Sequence, residues 1–508
     1  MLRFLLLSLL ASVVSAVEAP AGVVDAVSVW RLPGVTEASL WSDGVRRDSV
    51  PVPGGSEIRH APRHAGTLTW RITTGTKELA AGTWTVAPAA TPGGPVRLVG
   101  NRLQFPDGRP FLPLGPNLGW MGGDDPLPGF RRAFSRLAKA GGTHARVWLC
   151  SWSLGPGDDL DPQRLAQVDG VLAEARAQGL RLTLVLTNHT DLLRRPGWSA
   201  VPLVPGLARQ IRDAVRRWGA DDTVLAWELG NELDLAEGNP QTLDRWLSAS
   251  ADLVRAEDPD RRPVIASWSG DGWMHSRAPV DWFGVHPYVH EFTEAGEAFR
   301  ARDRDALRAF EDAARHGRPW WPMEGGYQGS EDHNPGNDLD HEGLLLRQHL
   351  WAGFCLGLAP AMNWWWDTHV DARNLWPLYG ALGRVAARLD LADPDLQVIP
   401  PNRAGTLRVL GRSSPTQALV WPQVRADTWY AALVQGQPRT GLSLAQTVVL
   451  GGFRPRAGFT WERWDPVAGT CRVTAPVTSD DRGRLRLVLP AATVDEVWVL
   501  RLTADIGR

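Results

Sequence analysis

The chain of 508 residues is longer than one ordinary hydrophobic core supports, so several domains are expected. Its 54 Lys and Arg stand against 56 Asp and Glu, a formal net charge of −2 with the two signs interspersed. That balance argues against a nucleic-acid or anionic-membrane partner, which would call for a basic surface, and suits an uncharged one.

The chain opens with Met1-Leu2-Arg3, a short apolar run to Val14 and the small residues Ser15 and Ala16. This pattern predicts a signal peptide over residues 1–16, too short to span a bilayer, and hence a secreted or periplasmic protein with no membrane span after cleavage. Residues 17–95 alternate apolar and polar positions, as in Leu68-Thr69-Trp70-Arg71-Ile72 and Gly82-Thr83-Trp84-Thr85-Val86, and predict an N-terminal β-sandwich. Ala87 to Gly94 reads as the linker that ends it, and Val99 to Arg109 as a hairpin placed to plug the bottom of a barrel.

From residue 96 to 395 strand and helix patterns alternate eight times, which predicts an α/β domain closed into a (β/α)8 TIM barrel. The strands fall at 111–117, 144–150, 181–188, 224–231, 263–268, 282–288, 319–324 and 359–366. Gly141 follows one helix, Pro205 and Pro240 begin two others, and only Trp273 to Ala278 is left for the fifth. Residues 396–508 return to β alternation, as in Thr428 to Val434 and Val494 to Leu500, and predict a C-terminal β-sandwich. Cys150, Cys355 and Cys471 form neither a disulfide framework nor a zinc-ligand spacing, and the first two read as buried thiols.

Two segments carry the chemistry. Trp227-Glu228-Leu229-Gly230-Asn231-Glu232 closes the fourth predicted strand, and Trp320-Trp321-Pro322-Met323-Glu324 closes the seventh. The C-terminal strand ends of such a barrel form the floor of its active site, and a carboxylate pair there is the minimum equipment for cleaving a glycosidic bond. With these motifs the chain resembles glycoside hydrolase clan A, and family 5 most closely, across residues 96–395.

The resemblance implies Glu232 as acid/base and Glu324 as nucleophile of a retaining β-glycosidase acting on an oligo- or polysaccharide, without metal or cofactor. It also matches family positions to Arg146 on the second strand, His189 after the third, Asn231 beside the acid/base, and His286 and Tyr288 on the sixth. The flanking segments around Gly82 to Val86 and Trp461 to Thr470 resemble sandwich modules of bacterial enzymes of this clan. Leu233 follows Glu232 where β-mannanases commonly have Pro, which separates this chain from a specific mannanase pattern.

Physics gives each residue an expected role. Arg146 pairs with Glu324 and holds it ionised, Tyr288 donates to the same carboxylate, and Glu232 is kept protonated by Glu324 and by desolvation. Asn231 donates to the sugar 2-hydroxyl, and His189 and His286 bind hydroxyls or orient the carboxylates. Arg146 also has Glu228 as a competing ion-pair partner. Of Trp364, Trp365 and Trp366, at least one must point away from the cavity, and Trp366 is the candidate for stacking on a sugar. Asp332, His333 and Asp338 match no metal motif and read as a solvated loop. A metal-dependent hydrolase would need ligands at Leu114 to Gly119, where none stands. The same residues are compatible with a non-catalytic carbohydrate-binding protein and with a transglycosylase.

Overall fold

The computed structural model describes residues 19–89, 93–155, 161–236, 239–491 and 493–504. The signal peptide predicted over residues 1–16 lies outside the described residues, as does part of the linker. No helix among the described residues is long and apolar enough to cross a membrane.

The N-terminal strands form two sheets, one ordered Gly22–Val23, Lys77–Ala87, Gly66–Thr74, Ser39–Ser42, Val45–Asp48, the other Ser28–Pro33, Gly55–His60, Val50–Val52. Period-two alternation directs Trp30, Leu32 and Ile58 from one sheet and Leu40, Trp70, Ile72 and Trp84 from the other into one apolar cluster. Charged residues on the outside of these sheets meet the next part of the chain. Arg63 pairs with Asp25, Asp222 and Asp260, Arg47 donates to Asp260 at 2.6 Å, and Arg59 and Arg217 share Asp169. Several of these groups are largely buried, so removing one partner would strand another away from water.

Six strands then make one all-parallel sheet in sequence order: His144–Trp148, Arg181–Val185, Val224–Glu228, Val264–Trp268, Trp282–Val285 and Trp320–Pro322. The sheet is curled and all but Arg181 of these residues are buried, as expected when helices cover a parallel sheet. Pro stands in the first turn of the helices Pro162–Ala177, Pro205–Trp218 and Pro240–Glu257, and the side chains of Asp161 and Asn239 cap two of them. The fifth connection is only the 3-10 turn Asp271–Met274, matching the short segment available to it.

The predicted strands 111–117 and 359–366 are not ladder strands. Pro113, Pro116 and Pro360 supply no N–H, so these segments join the sheet through interrupted runs of backbone bonds. Asn117 bridges Arg146, the Asn117 N–H donates to the Asn363 carbonyl, and the Met362 N–H donates to that of Pro322. The hairpin Arg97–Val99 with Arg102–Gln104 forms as expected, and Leu103 packs with Leu225, Ile265, Trp282 and Trp321.

After residue 396, Leu407–Ser413, Gln417–Val424, Val497–Ala504, Gly458–Asp465 and Thr470–Thr478 build the larger sheet, and Gln446–Leu450 pairs with Leu485–Leu489. Both contribute to one cluster, while Leu410, Leu419 and Trp421 join the central core beside the wholly buried helix Leu344–Leu356. The β reading of Thr428 to Val434 is overturned, because Tyr430–Val434 is a π-helical turn. Its neighbour Trp429 is fully buried against Tyr327 and Phe292, and this contact outweighs the local alternation. Cys150 and Cys355 are buried free thiols, and burial pushes the Cys355 thiol up to about 12.

Candidate active site

The ladders stop at Trp148, Val185, Glu228, Val285 and Pro322, earlier than predicted, and several of the candidate residues lie just beyond those ends. There the backbone is free of the pleat and can aim side chains toward one point. Glu232 shows this most clearly. It has a left-handed φ of 48° ahead of the 3-10 turn Leu233–Leu235. Such a conformation costs a non-glycine residue about 1–3 kcal/mol, so the surrounding contacts must hold it. Tyr288–Val289 and Gly326–Tyr327 form a short parallel pair that extends the sixth and seventh predicted strands beside the site.

Arg146 is the centre of the arrangement and is wholly buried. Its Nε and Nη2 donate to the two oxygens of Glu228 at 2.7 and 2.6 Å. Nη1 donates to Glu324 Oε1 at 2.5 Å and to Asn117 Oδ1 at 2.8 Å, and Nη2 to Asn231 Oδ1 at 2.7 Å. The planar fork thus satisfies both carboxylates that compete for it in the sequence, and the guanidinium lies 4.5 Å from the Trp148 ring centroid. The second oxygen of Glu324 accepts from the Tyr288 hydroxyl at 2.9 Å. His286 Nδ1 lies 2.9 Å from Glu232 Oε1 and 3.5 Å from Glu324 Oε2. One oxygen of Glu232, one of Glu324 and a ring nitrogen of His286 all fall within 4.8 Å of one another. The Glu232 side chain keeps 18% exposure and that of Glu324 only 4%, so Glu232 is the carboxylate nearer solvent.

Electrostatics correct one expectation. Burial alone would raise Glu232, but the hydrogen bond and charge of His286 outweigh it and draw the carboxyl below its ordinary value. Burial pushes Glu324 up, against the opposing pull of His286 and Arg146. Burial works to lower His286, and the two carboxylates more than reverse it. The directions thus run opposite to the expectation of a raised Glu232 and a depressed Glu324. Tyr288 is pushed well up by burial and by Glu324, which keeps it a donor.

Of the residues singled out in the sequence, Glu232, Glu324, Arg146, Asn231, His286 and Tyr288 come together in one connected cluster. His189 begins the helix His189–Leu193, and its backbone N–H donates to the Asn231 carbonyl at 3.2 Å. Its buried Nδ1 has no hydrogen-bond partner. Trp366 departs from its expected role. It begins a π-helical turn, Trp366–Asp371, and only 5% of it is exposed. Trp365 is also turned inward, donating to the Tyr327 carbonyl at 2.6 Å, while Trp364 stays partly open beside Trp120.

Asn117, Ser267 and Trp148 were missed. Ser267 donates to Glu228 at 2.7 Å, lies 3.2 Å from Asn231 Oδ1 and accepts from the Glu232 N–H at 3.4 Å. Its signal was a small hydroxyl in the otherwise apolar strand Val264–Trp268. Among the described residues, three ligand atoms suited to one cation converge at Glu232, His286 and Glu324. The Arg146 guanidinium already neutralises one of those carboxylates, which makes the group a poor cation cage.

No family model matches the sequence, and no curated protein does. Among solved structures, one from Bacteroides vulgatus assigned as a glycoside hydrolase superposes with a TM-score of 0.65 at 15% identity, covering 95% of this chain and all of its own. The chain shares the fold of that structure. A family 5 glycoside hydrolase from the same organism gives a TM-score of 0.56 at 12% identity, over 81% of this chain and 95% of that one. A further glycoside hydrolase matches equally well, over 81% and 97%. At these identities the likeness establishes architecture, and the chemistry has to be argued from the residues.

Proposed function

We propose that the protein is a secreted retaining glycoside hydrolase that cleaves β-linked glycans, with Glu324 as nucleophile and Glu232 as acid/base. The observation that carries this reading is that one oxygen of Glu232 and one of Glu324 come within 4.8 Å of each other, both beside His286 Nδ1. Retaining enzymes place the pair about 5–5.5 Å apart, whereas inverting ones leave roughly 6.5–9.5 Å for a water. In the first step a Glu324 oxygen bonds to the anomeric carbon while the glycosidic C–O bond breaks, and the leaving oxygen takes the proton shared by Glu232 and His286. In the second, Glu232 accepts a proton from water, whose oxygen displaces Glu324 and restores the starting configuration.

Arg146 and Tyr288 suit the nucleophile role, since both donate to the ionised form of Glu324. Because Arg146 and Ser267 occupy Asn231 Oδ1, the amide nitrogen is the end left to reach a sugar hydroxyl. In this reading segments 111–117 and 359–366 complete an eight-stranded barrel, β-sandwich modules flank it, and residues 1–16 direct export.

Trapping tests the mechanism. Incubation with 2-fluoro glycosides of several sugar configurations should add one glycosyl mass to the intact protein, and none to Glu324→Ala. Measurable hydrolysis with no labelling by any sugar would count against double displacement. Absence of both labelling and hydrolysis across a glycan panel would favour a non-catalytic binding protein.

His286 makes the pH dependence specific. The groups facing it are Glu324, Glu232 and Arg146, and their sum raises its pKa. The alkaline limb of kcat/KM should therefore report loss of the proton held by the Glu232–His286 pair, above the usual imidazole value of about 6.5. In His286→Phe that proton can sit only on the carboxyl, which is intrinsically more acidic, so the alkaline limb should move to lower pH. A limb that stays in place would show that His286 takes no part.

A further inference from the structure

Resting on the glycosidase reading, we infer that the site continues into a second sugar-binding pocket, centred on Trp152 and Trp120, that takes the next units of an uncharged glycan chain. A line of aromatic rings leads there from Arg146. Arg146 lies against Trp148, whose centroid is 5.4 Å from Trp364 and 4.9 Å from Trp152, and Trp364 is 4.8 Å from Trp120. Trp148 is buried, whereas Trp152 is 44% exposed, so the line emerges from the core into solvent. An exposed Trp in a cluster of rings offers a flat apolar face, the surface on which the C–H side of a pyranose packs.

Beyond these rings is a cavity of about 580 Å³ lined by Trp120, Trp152, Asp124, Asp161, Gln163 and Gln167, among others. That volume falls within the roughly 300–1,000 Å³ typical of small-ligand pockets. Its walls are built in advance. Asp367 accepts from Trp120 Nε1 at 3.0 Å and fixes that ring. Gln167 donates to the Asp124 carbonyl at 3.2 Å and braces that side of the cavity. A Cβ on Gly119 would come within 3.3 Å of Trp148 and 3.5 Å of Trp364, so a residue without a side chain permits the close seating of those rings.

Charge selects the ligand. Asp124 and Asp161 face one cation, Arg164, whose Nη1 is already engaged with the Ser153 carbonyl at 2.8 Å. A wall with this excess of carboxylate accepts hydroxyl hydrogen bonds and disfavours uronates.

The test uses β-linked gluco-, manno-, galacto- and xylo-oligosaccharides from disaccharide to hexasaccharide, with oligogalacturonates as the charged probe. Binding to Glu324→Ala is followed by calorimetry, and hydrolysis by the otherwise wild-type protein in parallel. Affinity should rise with chain length for at least one neutral series. Adding Trp152→Ala should weaken the longer members by about tenfold, with a smaller loss for the disaccharide, and Trp152→Phe should recover part of it. Hydrolysis with identical chain-length dependence in wild type and Trp152→Ala would overturn the pocket while leaving the glycosidase reading intact, as would tighter binding of the oligogalacturonates. Neither binding nor hydrolysis of any series would overturn that reading itself, and the pocket with it.

Discussion

Glu324→Ala should lose turnover by about 10⁴-fold or more, and azide should restore part of it with inverted anomeric configuration in the product. The size follows from removing the group that makes the covalent bond, since the residual rate then comes only from binding and the remaining electrostatics. The configuration follows from geometry, because azide enters the space vacated by the carboxylate and attacks the same face of the sugar once. Glu232→Ala should behave differently. Loss of proton delivery should slow substrates with poor leaving groups by about 10²–10⁴-fold, but hardly slow formation of the glycosyl-enzyme from an activated aryl glycoside. In that variant azide replaces water in the second step, needs no base, and gives the retained glycosyl azide. Anomeric proton couplings distinguish the two products. Retained azide from Glu324→Ala and inverted azide from Glu232→Ala would exchange the two roles.

The carboxylate pair and its arginine were legible because charge is conspicuous on an otherwise apolar strand. Arg146 stands among Ala145, Val147 and Trp148, and Glu228 among Ala226, Trp227 and Leu229, so each had to find a partner or cost several kcal/mol. Asn117 and Ser267 gave no such signal, since a small polar side chain near a strand end is ordinary. The first and eighth predicted strands are less regular for a related reason. Segments 111–117 and 359–366 have the apolar content of strands, but their prolines leave gaps in the donor ladder, and only the neighbouring strands decide whether an interrupted run of bonds suffices. Trp366 was misplaced because a run of three Trp was read with period two, while the backbone coils into a π-helical turn at that residue.

The contact that draws Glu232 down was beyond the sequence altogether. It depends on which oxygen His286 Nδ1 approaches, and a difference between 2.9 and 3.5 Å makes Glu232 its partner ahead of Glu324. A motif places these residues on strands but does not specify that contact. The same geometry suits the proposed roles: an imidazole beside the acid/base can hold the proton that Glu232 delivers, and Glu324 keeps the two donors that favour its ionised form.

Arg146→Met should be the most damaging change to stability within the site. The guanidinium is the shared cation of Glu228 and Glu324, both buried, and methionine fills part of the space while supplying no charge or donor. Breaking a buried pair from one side costs about 3–5 kcal/mol, and here two carboxylates are stranded together. The sign of the pH dependence follows. Burial already raises Glu324 despite Arg146, and loss of the cation raises it further. A carboxyl whose folded pKa lies above its unfolded value destabilises the fold as pH rises through that range, so the deficit of Arg146→Met should be largest at neutral pH and shrink toward acid. Urea denaturation of wild type and variant at neutral and mildly acidic pH measures this directly. Arg146→Lys should recover part of the stability but less of kcat, because an ammonium keeps the charge without the planar fork that holds Glu228, Asn231 and Glu324 in register. If Arg146→Met does not fold, pairing it with Glu228→Gln removes one stranded charge and should return a soluble protein. Equal stability of Arg146→Met and wild type at neutral pH would mean that the buried network is not held together by this arginine.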